Sequence, residues 1–198
     1  MIQFNNISNE LPFVVFKNKY DEALSRNQSN PESVCISSYC IKHSEVNSRY
    51  VNCKILDSNK FIFFSNYKSP KAHEFSVHKQ VSAVFYWNSI NTQIRIKALI
   101  EKTNKRFNEN YFKNRSTKKN ALAICSKQSQ PIKSFNDVVK KYEKSLSNDN
   151  LLKCPEYWGG YEFTPYEMEF WEGNANRLNK RNLYKKNNLT WDHFVLEP

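Results

Sequence analysis

The sequence predicts a mainly β chain with added helices, a closed antiparallel barrel of short strands. Three observations carry this expectation. Apolar and polar residues alternate over five or six short runs separated by brief turns, which is the strand period. Apart from one short helix near 70–78, helical spacing falls in the first thirty residues and in 104–148. The chain then returns to strand-like alternation over 157–198, a stretch that holds all three of its glycines. At 198 residues, with 39% hydrophobic and 15% aromatic content, the chain can build a real core, supplied largely by Phe and Tyr. A single domain over 1–198 is the simplest reading.

The elements follow in order. LPFVVFKNKYDEALSR (11–26) sets Phe13, Phe16, Tyr20 and Leu24 on one side of a helix, and NQSNPE breaks it. SVCISSYCI (33–41) and SRYVNCKIL (48–56) read as strands, and DSN turns the second into KFIFFS (60–65). Ser69 caps and Pro70 opens a short helix towards His78. QVSAVFYW (80–87) and TQIRIKALIEK (92–102) are strands joined by NSIN. In the second, Ile94, Ile96 and Ala98 share one face while Gln93, Arg95 and Lys97 share the other. Helices are expected over 104–114, around 119–125 and over 135–146. After CPEYWGG come three strand-like runs, YEFTP, YEMEFWEG and NRLNKRNLYKK, leading to Trp191.

Composition narrows the function. No run approaches the roughly 18 apolar residues of a membrane span, and MIQFNNISNELPFVVF lacks the basic start and apolar run of a secretory leader. The cytosol is the expected compartment, with no membrane partner. Cys35, Cys40, Cys53, Cys125 and Cys154 are scattered and odd in number, so they read as reduced, mostly buried thiols with no metal. The formal charge of +11 admits three readings: a nucleic-acid surface, a Lys- and Asn-rich bias, or a pocket for phosphorylated small molecules. No nucleic-acid-binding motif is present, and the lysines read as spread along the chain.

Common catalytic motifs are absent: no phosphate-binding glycine loop, no HExxH, no GxSxG, and no cluster among the four histidines. What remains is basic residues at strand and helix starts. Arg49 and Lys54, five positions apart, face opposite sides of a regular strand. Lys71 lies in the first turn of a helix, where free N–H groups favour an anion. Tyr111 and Arg115 are i and i+4 on a helix and can converge on one ligand. Arg177 and Arg181 flank the last strand, and Gln93 is an amide on a strand otherwise built for burial. Each alone reads as a solvated charge. The set suits a phosphorylated aromatic ligand, with Trp171 available to lie against a flat ring.

WGGYEFTPYEMEFWEGNANRLNKR resembles the C-terminal signature of the pyridoxine/pyridoxamine 5′-phosphate oxidase family: WGG, an apolar stretch, E-F-W-Q-G, then R-L-H-D-R. RYVNCK, FIFFSNYKSPKAHE, VFYWNSINTQIRIKALIEK, YFKNR and SKQS are similar to further motifs of that family, in the same order. The resemblance runs from about Pro12 to Pro198. It implies a homodimeric FMN-binding split barrel with flavin sites between subunits. Arg49, Tyr50, Val51, Phe64, Ser65, Lys71, Gln93, Gln128, Ser129, Trp171 and Arg181 fall at its FMN positions. Lys54, Tyr111, Arg115 and Lys119 fall at its substrate-phosphate positions. Arg177, Leu178 and Asn179 fall where it meets the substrate, Arg177 and Asn179 near the reacting carbon. The implied reaction oxidises pyridoxine or pyridoxamine 5′-phosphate to pyridoxal 5′-phosphate, with O2 reduced to H2O2 and no protein nucleophile. Alternatives are a related flavin oxidase of the phenazine-biosynthesis type and a barrel that binds flavin or pyridoxal phosphate without turnover.

The sequence departs from the pattern at several places. R-L-H-D-R reads RLNKR, so Asn179 and Lys180 replace His and Asp; an amide hydrogen-bonds but cannot become a cation or shuttle a proton near neutral pH. S-R-K reads SPK, so Pro70 replaces a guanidinium. Lys119 stands for a serine.

Overall fold

Three rings and a methyl group fix where the first helix lies. The computed structural model describes residues 1–198. Helix α1 (Leu11–Ser25) opens with Pro12 and buries Phe13, Phe16, Tyr20 and Ala23. Phe16 meets Phe61 edge-on at 4.9 Å and Phe85 at 5.3 Å, and Tyr20 meets Trp87 at 5.7 Å. These are the tilted and edge contacts that ring quadrupoles favour. Leu24, expected on this face, is only half-buried; Ala23 packs in its place.

The strands are β1 (Gln3–Asn5), β2 (Ser33–Cys40), β3 (Glu45–Asn52), β4 (Ile55–Asp57), β5 (Lys60–Asn66), β6 (Gln80–Trp87), β7 (Thr92–Lys102), β8 (Trp158–Glu172), β9 (Lys180–Asn187) and β10 (Thr190–Val195). They form one sheet in the order β1-β4-β5-β8-β7-β6-β2-β3, with β9 on β8 and β10 on β9. Only the β1–β4 pairing is parallel. No ladder joins β3 to β5, so the barrel stays split along that seam. Helix α2 (Pro70–Val77) links β5 to β6. Helices α3 (Lys105–Asn114), α4 (Thr117–Cys125) and α5 (Phe135–Asn148) are inserted between β7 and β8. Along β7, Ile94, Ile96, Ala98 and Ile100 are buried, while Arg95, Lys97 and Leu99 are exposed, as the alternation predicts.

Four expectations need correction. The single strand over 48–56 is two. β3 pairs with β2 along its length, and the chain then turns at Cys53–Lys54 to give β4 to β5. Cys53 N–H donates to the Glu32 carbonyl at 2.9 Å, and Lys54 N–H to Ile62 at 2.7 Å. The runs YEFTP and YEMEFWEG are one fifteen-residue strand, because Pro165 sits at a register shift opposite Ala98 with Tyr166 as the extra residue. A bulge is where a strand tolerates proline. The hairpin partner β10 and the short β1 are strands the alternation does not reveal. Of the five free thiols only Cys53 is buried, its pKa pushed up to about 12 by that burial.

In the sequence, Gly159 and Gly160 read as a tight turn into a strand and Gly173 as a strand end. Gly173 does follow the end of β8. Gly159 and Gly160, however, lie inside the strand, and no glycine has a positive φ. Their role is close approach. A Cβ on Gly159 would lie 2.2 Å from Tyr67 Oη, and one on Gly160 would lie 2.6 Å from Thr103 Oγ1. Tyr67 Oη donates to the Gly160 carbonyl at 2.9 Å, while Asn108 Oδ1 accepts from the Gly160 N–H at 2.8 Å. This clamp ties α3 to β8. Gly159→Ala is expected to cost about 1–3 kcal/mol by overpacking, a fall of roughly 3–10 °C in melting temperature. An unchanged melt would show that the clamp yields freely.

Candidate functional site

Where β3 and β5 part, a groove of about 790 Å3 opens, walled on its other side by α3 and α4. Eleven of the expected site residues line it. β3 supplies Arg49, Tyr50 and Val51, β5 supplies Phe64 and Ser65, and α2 supplies Lys71. Lys54, Tyr111, Arg115, Lys119 and Gln128 complete the set. Arg49 and Lys54, expected on opposite faces, share this groove because the chain turns between β3 and β4.

The groove is built to hold positive charge against its cost. Arg49 Nη2 pairs with Glu74 Oε2 at 3.0 Å, and Ser38 Oγ bonds both partners. Asn47 Nδ2 donates to the other Glu74 oxygen at 3.0 Å. Buried Glu74 therefore fixes the Arg49 fork. Lys71 is buried, 8% exposed, and has neither an ion-pair nor a hydrogen-bond partner in the chain. Burial first, and the Arg49 guanidinium second, push its ammonium below the usual pKa. Ser69 Oγ, at the α2 cap, is buried without a hydrogen-bond partner. A buried cation with no partner in the chain is an unmet demand for an anion.

A second cation sits across the groove. Arg115 was expected on the helix with Tyr111, but it caps α3 in extended backbone, φ −89° and ψ 166°. The two still converge on one aromatic wall. Tyr111 lies flat on Phe64 at 3.7 Å, Phe64 is parallel to Trp158 at 5.1 Å, and the Arg115 guanidinium covers Trp158 at 4.6 Å. No carboxylate pairs with Arg115. Burial lowers its pKa and raises that of Tyr111. Lys54 shares Glu32 at 3.6 Å. Gln128 Oε1 accepts weakly from Asn66 N–H at 3.4 Å; Ser129 follows it in left-handed backbone, φ 65°, just outside the groove lining.

The remaining expected residues gather elsewhere. Gln93, Trp171 and Arg181 are cross-strand neighbours in one row over β7, β8 and β9. Arg181 is already engaged: Nε and Nη2 grip Glu169 Oε1 at 2.9 and 2.8 Å, and Nη1 donates to the Glu197 carbonyl at 2.9 Å. Arg95 holds the other Glu169 oxygen at 2.9 Å. The loop before β9 carries Arg177, Leu178 and Asn179. Arg177 is the one residue other than Asn or Ser held at positive φ, 59°, a conformation costly for a long side chain. Asn179 Oδ1 accepts from the Asn174 N–H at 3.1 Å.

These two groups do not meet within one chain. None of Gln93, Trp171, Arg177, Leu178, Asn179 or Arg181 lines the groove. Strand β8 separates them: its first half pairs with β5 beside the groove and its second half with β9. Trp171 lies thirteen positions beyond Trp158, about 40 Å of strand. Sequence reasoning gave no part in the site to Trp158 or Glu74, and it gave Ser69 only the capping of a helix. WGG marks Trp158, but only the fold brings Arg115 onto its ring.

A split barrel with a cationic groove and a flat aromatic wall defines a protein that takes a phosphorylated planar ligand. Comparison with known proteins gives the class a name. Residues 20–146 match the family described as pyridoxamine 5′-phosphate oxidase, and 158–198 match the pyridoxine 5′-phosphate oxidase C-terminal dimerisation region. The chain is 35% identical over 195 residues to the pyridoxine/pyridoxamine 5′-phosphate oxidase of Colwellia psychrerythraea, covering 96% of this chain and 88% of that protein. It is 31% identical over 194 residues to the pyridoxamine 5′-phosphate oxidase of Saccharomyces cerevisiae, covering 94% and 85%. The chain belongs to the pyridoxine/pyridoxamine 5′-phosphate oxidase family and is an oxidoreductase. Two solved structures share its fold. One is PhzG from Burkholderia lata, crystallised with tetrahydrophenazine-1-carboxylic acid: TM-score 0.89, 23% identity, covering 94% of this chain and 92% of that one. The other is a pyridoxamine 5′-phosphate oxidase-related, FMN binding protein from Nostoc punctiforme: TM-score 0.78, 14% identity, covering 92% and 97%. No helix is long and apolar enough to cross a membrane.

Proposed function

We propose that the protein is an FMN-dependent oxidase that converts pyridoxine or pyridoxamine 5′-phosphate to pyridoxal 5′-phosphate. The observation that carries this reading is a pair of cations without carboxylate partners in one groove, buried Lys71 and half-buried Arg115. Two phosphorylated ligands, cofactor and substrate, give each an anion. The fit to FMN rests on Lys71 and Arg49, which line the groove and offer charge to a phosphate; the orphaned Ser69 hydroxyl lies two residues before Lys71, outside the lining. The absence of the arginine at Pro70 is offset in part by Glu74, which holds Arg49 in one rotamer.

FMN, when bound, supplies the two-electron acceptor for oxidation at the substrate C4′ carbon, with O2 as terminal oxidant and H2O2 as product. The amine substrate also takes up water and releases ammonia. The chain's own residues bind, orient and exclude water. Arg115, Lys54, Lys119 and Tyr111 hold the substrate phosphate. The Phe64–Tyr111–Trp158 wall keeps the groove dry on one side, strengthening each charge–phosphate contact. Arg177 and Asn179 meet the pyridine ring from a second copy of the chain, and Gln93, Trp171 and Arg181 close on the flavin from there. A homodimer is part of the proposal. It also covers Tyr50, 75% exposed in the groove, and Leu178, 70% exposed on the loop. Reduced thiols fit a cytosolic setting.

A second reading, oxidation of a different aromatic phosphate or acid, is favoured by Asn179. Its oxygen is taken by Asn174, so it offers the ligand only N–H donors, where a histidine would offer a proton. One assay decides between them. Purified protein is expected to be yellow, and anaerobic pyridoxine or pyridoxamine 5′-phosphate is expected to bleach it. Bound flavin that neither compound bleaches would exclude the B6 substrate; colourless protein not stabilised by FMN would exclude an oxidase altogether.

A further inference from the structure

The positive charge is not evenly spread. Residues 102–153 hold thirteen of the thirty basic residues but four of the nineteen acidic ones, so the helical insertion carries nine of the eleven net charges. Elsewhere the charges largely cancel in pairs such as Arg95–Glu169, Lys97–Glu167 and Lys19–Glu172. Inside the insertion the single ion pair is Lys105–Glu109, a loose 3.9 Å. The insertion also forms the groove's outer wall: α4 lines it through Lys119, and Arg115 leads into α4. Helix α5 lies directly behind, Ser145 Oγ donating to the Ala121 carbonyl at 3.1 Å. Packed helices stand about 8–10 Å apart, so α5 lies about one Debye length of 0.1 M salt from α4, and further than that only in stronger salt.

From this we infer that the helical insertion is an electrostatic funnel. Lys140, Lys141 and Lys144 on α5 draw phosphorylated ligands towards Arg115 and Lys119 without touching them. All three are exposed, and none is ion-paired. Their exposed positions make them poor contributors to folding and to the bound contacts. Their field, added to that of the groove cations and concentrated by the low-dielectric helices, raises the local concentration of dianions. The inference rests on the reading of the groove as a site for phosphorylated ligands, and deepens it by assigning ligand capture to residues outside the site.

The test is stopped-flow uptake of FMN by apoprotein, followed by loss of FMN fluorescence, at about 20 mM and about 500 mM salt. Three proteins are compared: wild type, the Lys140→Glu/Lys141→Glu/Lys144→Glu variant, and an equal-charge control, Arg26→Glu/Lys42→Glu/Lys79→Glu. The control residues are exposed and lie outside the insertion. The wild-type association rate is expected to fall about tenfold or more between the two salts. At low salt the α5 variant is expected to be slower than wild type by about fivefold or more, with the control within about twofold. At high salt all three converge. An equal loss in the α5 variant and the control, or salt-independent uptake by wild type, would overturn the funnel and leave the oxidase reading standing. No uptake by wild type at either salt would overturn the oxidase reading, and the funnel with it.

Discussion

Lys71→Met is expected to give an apoprotein that melts higher than wild type and has lost most of its affinity for FMN. The two halves of that result have one cause. In the apoprotein the Lys71 ammonium is buried beside Arg49 with no ion-pair partner, and its pKa is lowered, so the fold carries a charge it does not stabilise. Methionine fills similar space without that charge, which gains about 1 kcal/mol, or about 2–4 °C. A phosphate reverses the balance. It supplies the missing partner, and a charge-assisted contact of about 1.5–3 kcal/mol is lost in the variant, weakening FMN by roughly 10- to 150-fold. The pH dependence gives an independent check. A lysine whose folded pKa lies below its unfolded value penalises folding at lower pH, and the penalty fades as pH rises towards the unfolded pKa. The melting-temperature gap between variant and wild type should therefore be widest near neutral pH and narrow as pH climbs. A variant that melts lower than wild type, or binds FMN equally well, would mean that Lys71 is satisfied some other way.

The fold was legible where one local rule acted alone. The β7 alternation named its buried face residue by residue, and Ser69–Pro70 marked the start of α2. It was not legible where a long-range contact overrode the local signal. Pro165 looks like a strand end, yet β7 pairs across it through a bulge. Nothing in SRYVNCKIL says that Cys53 and Lys54 take hydrogen bonds from different partners and bend the chain, although that bend brings Arg49 and Lys54 into one groove. The glycine pair reads as a turn; only Tyr67, Asn108 and Thr103, far away in sequence, show that the missing side chains are the point. The same limit applies to the site. Residue types picked out the cations that the fold gathers in the groove, but Arg181 cannot be known to lean on Glu169, or Lys71 to lack any partner, before the strands are paired.

The separation of the two residue groups makes the largest prediction. Arg115→Ala removes a groove cation, and Arg177→Ala removes the loop cation that the groove does not contain. Each variant alone is expected to lose nearly all oxidase activity, because every site in its homodimer lacks one of the two. Co-expressed and randomly paired, they are expected to recover about a quarter of wild-type activity. In a two-fold dimer each site takes its groove from one chain and its loop from the other. Half of the random dimers are mixed. A mixed dimer has one site with both defects and one with neither, because the intact groove of the Arg177→Ala chain meets the intact loop of the Arg115→Ala chain. A site contained in a single chain predicts the opposite: every chain carries its own defect, and mixing restores nothing. Melting curves of both variants keep the comparison clean, since Arg177 is exposed and its loss should leave folding unchanged. Absence of recovery in folded, mixed dimers would remove the second copy from the site. Gln93, Trp171 and Arg181 would then be left as an ordinary cross-strand row with no ligand to meet.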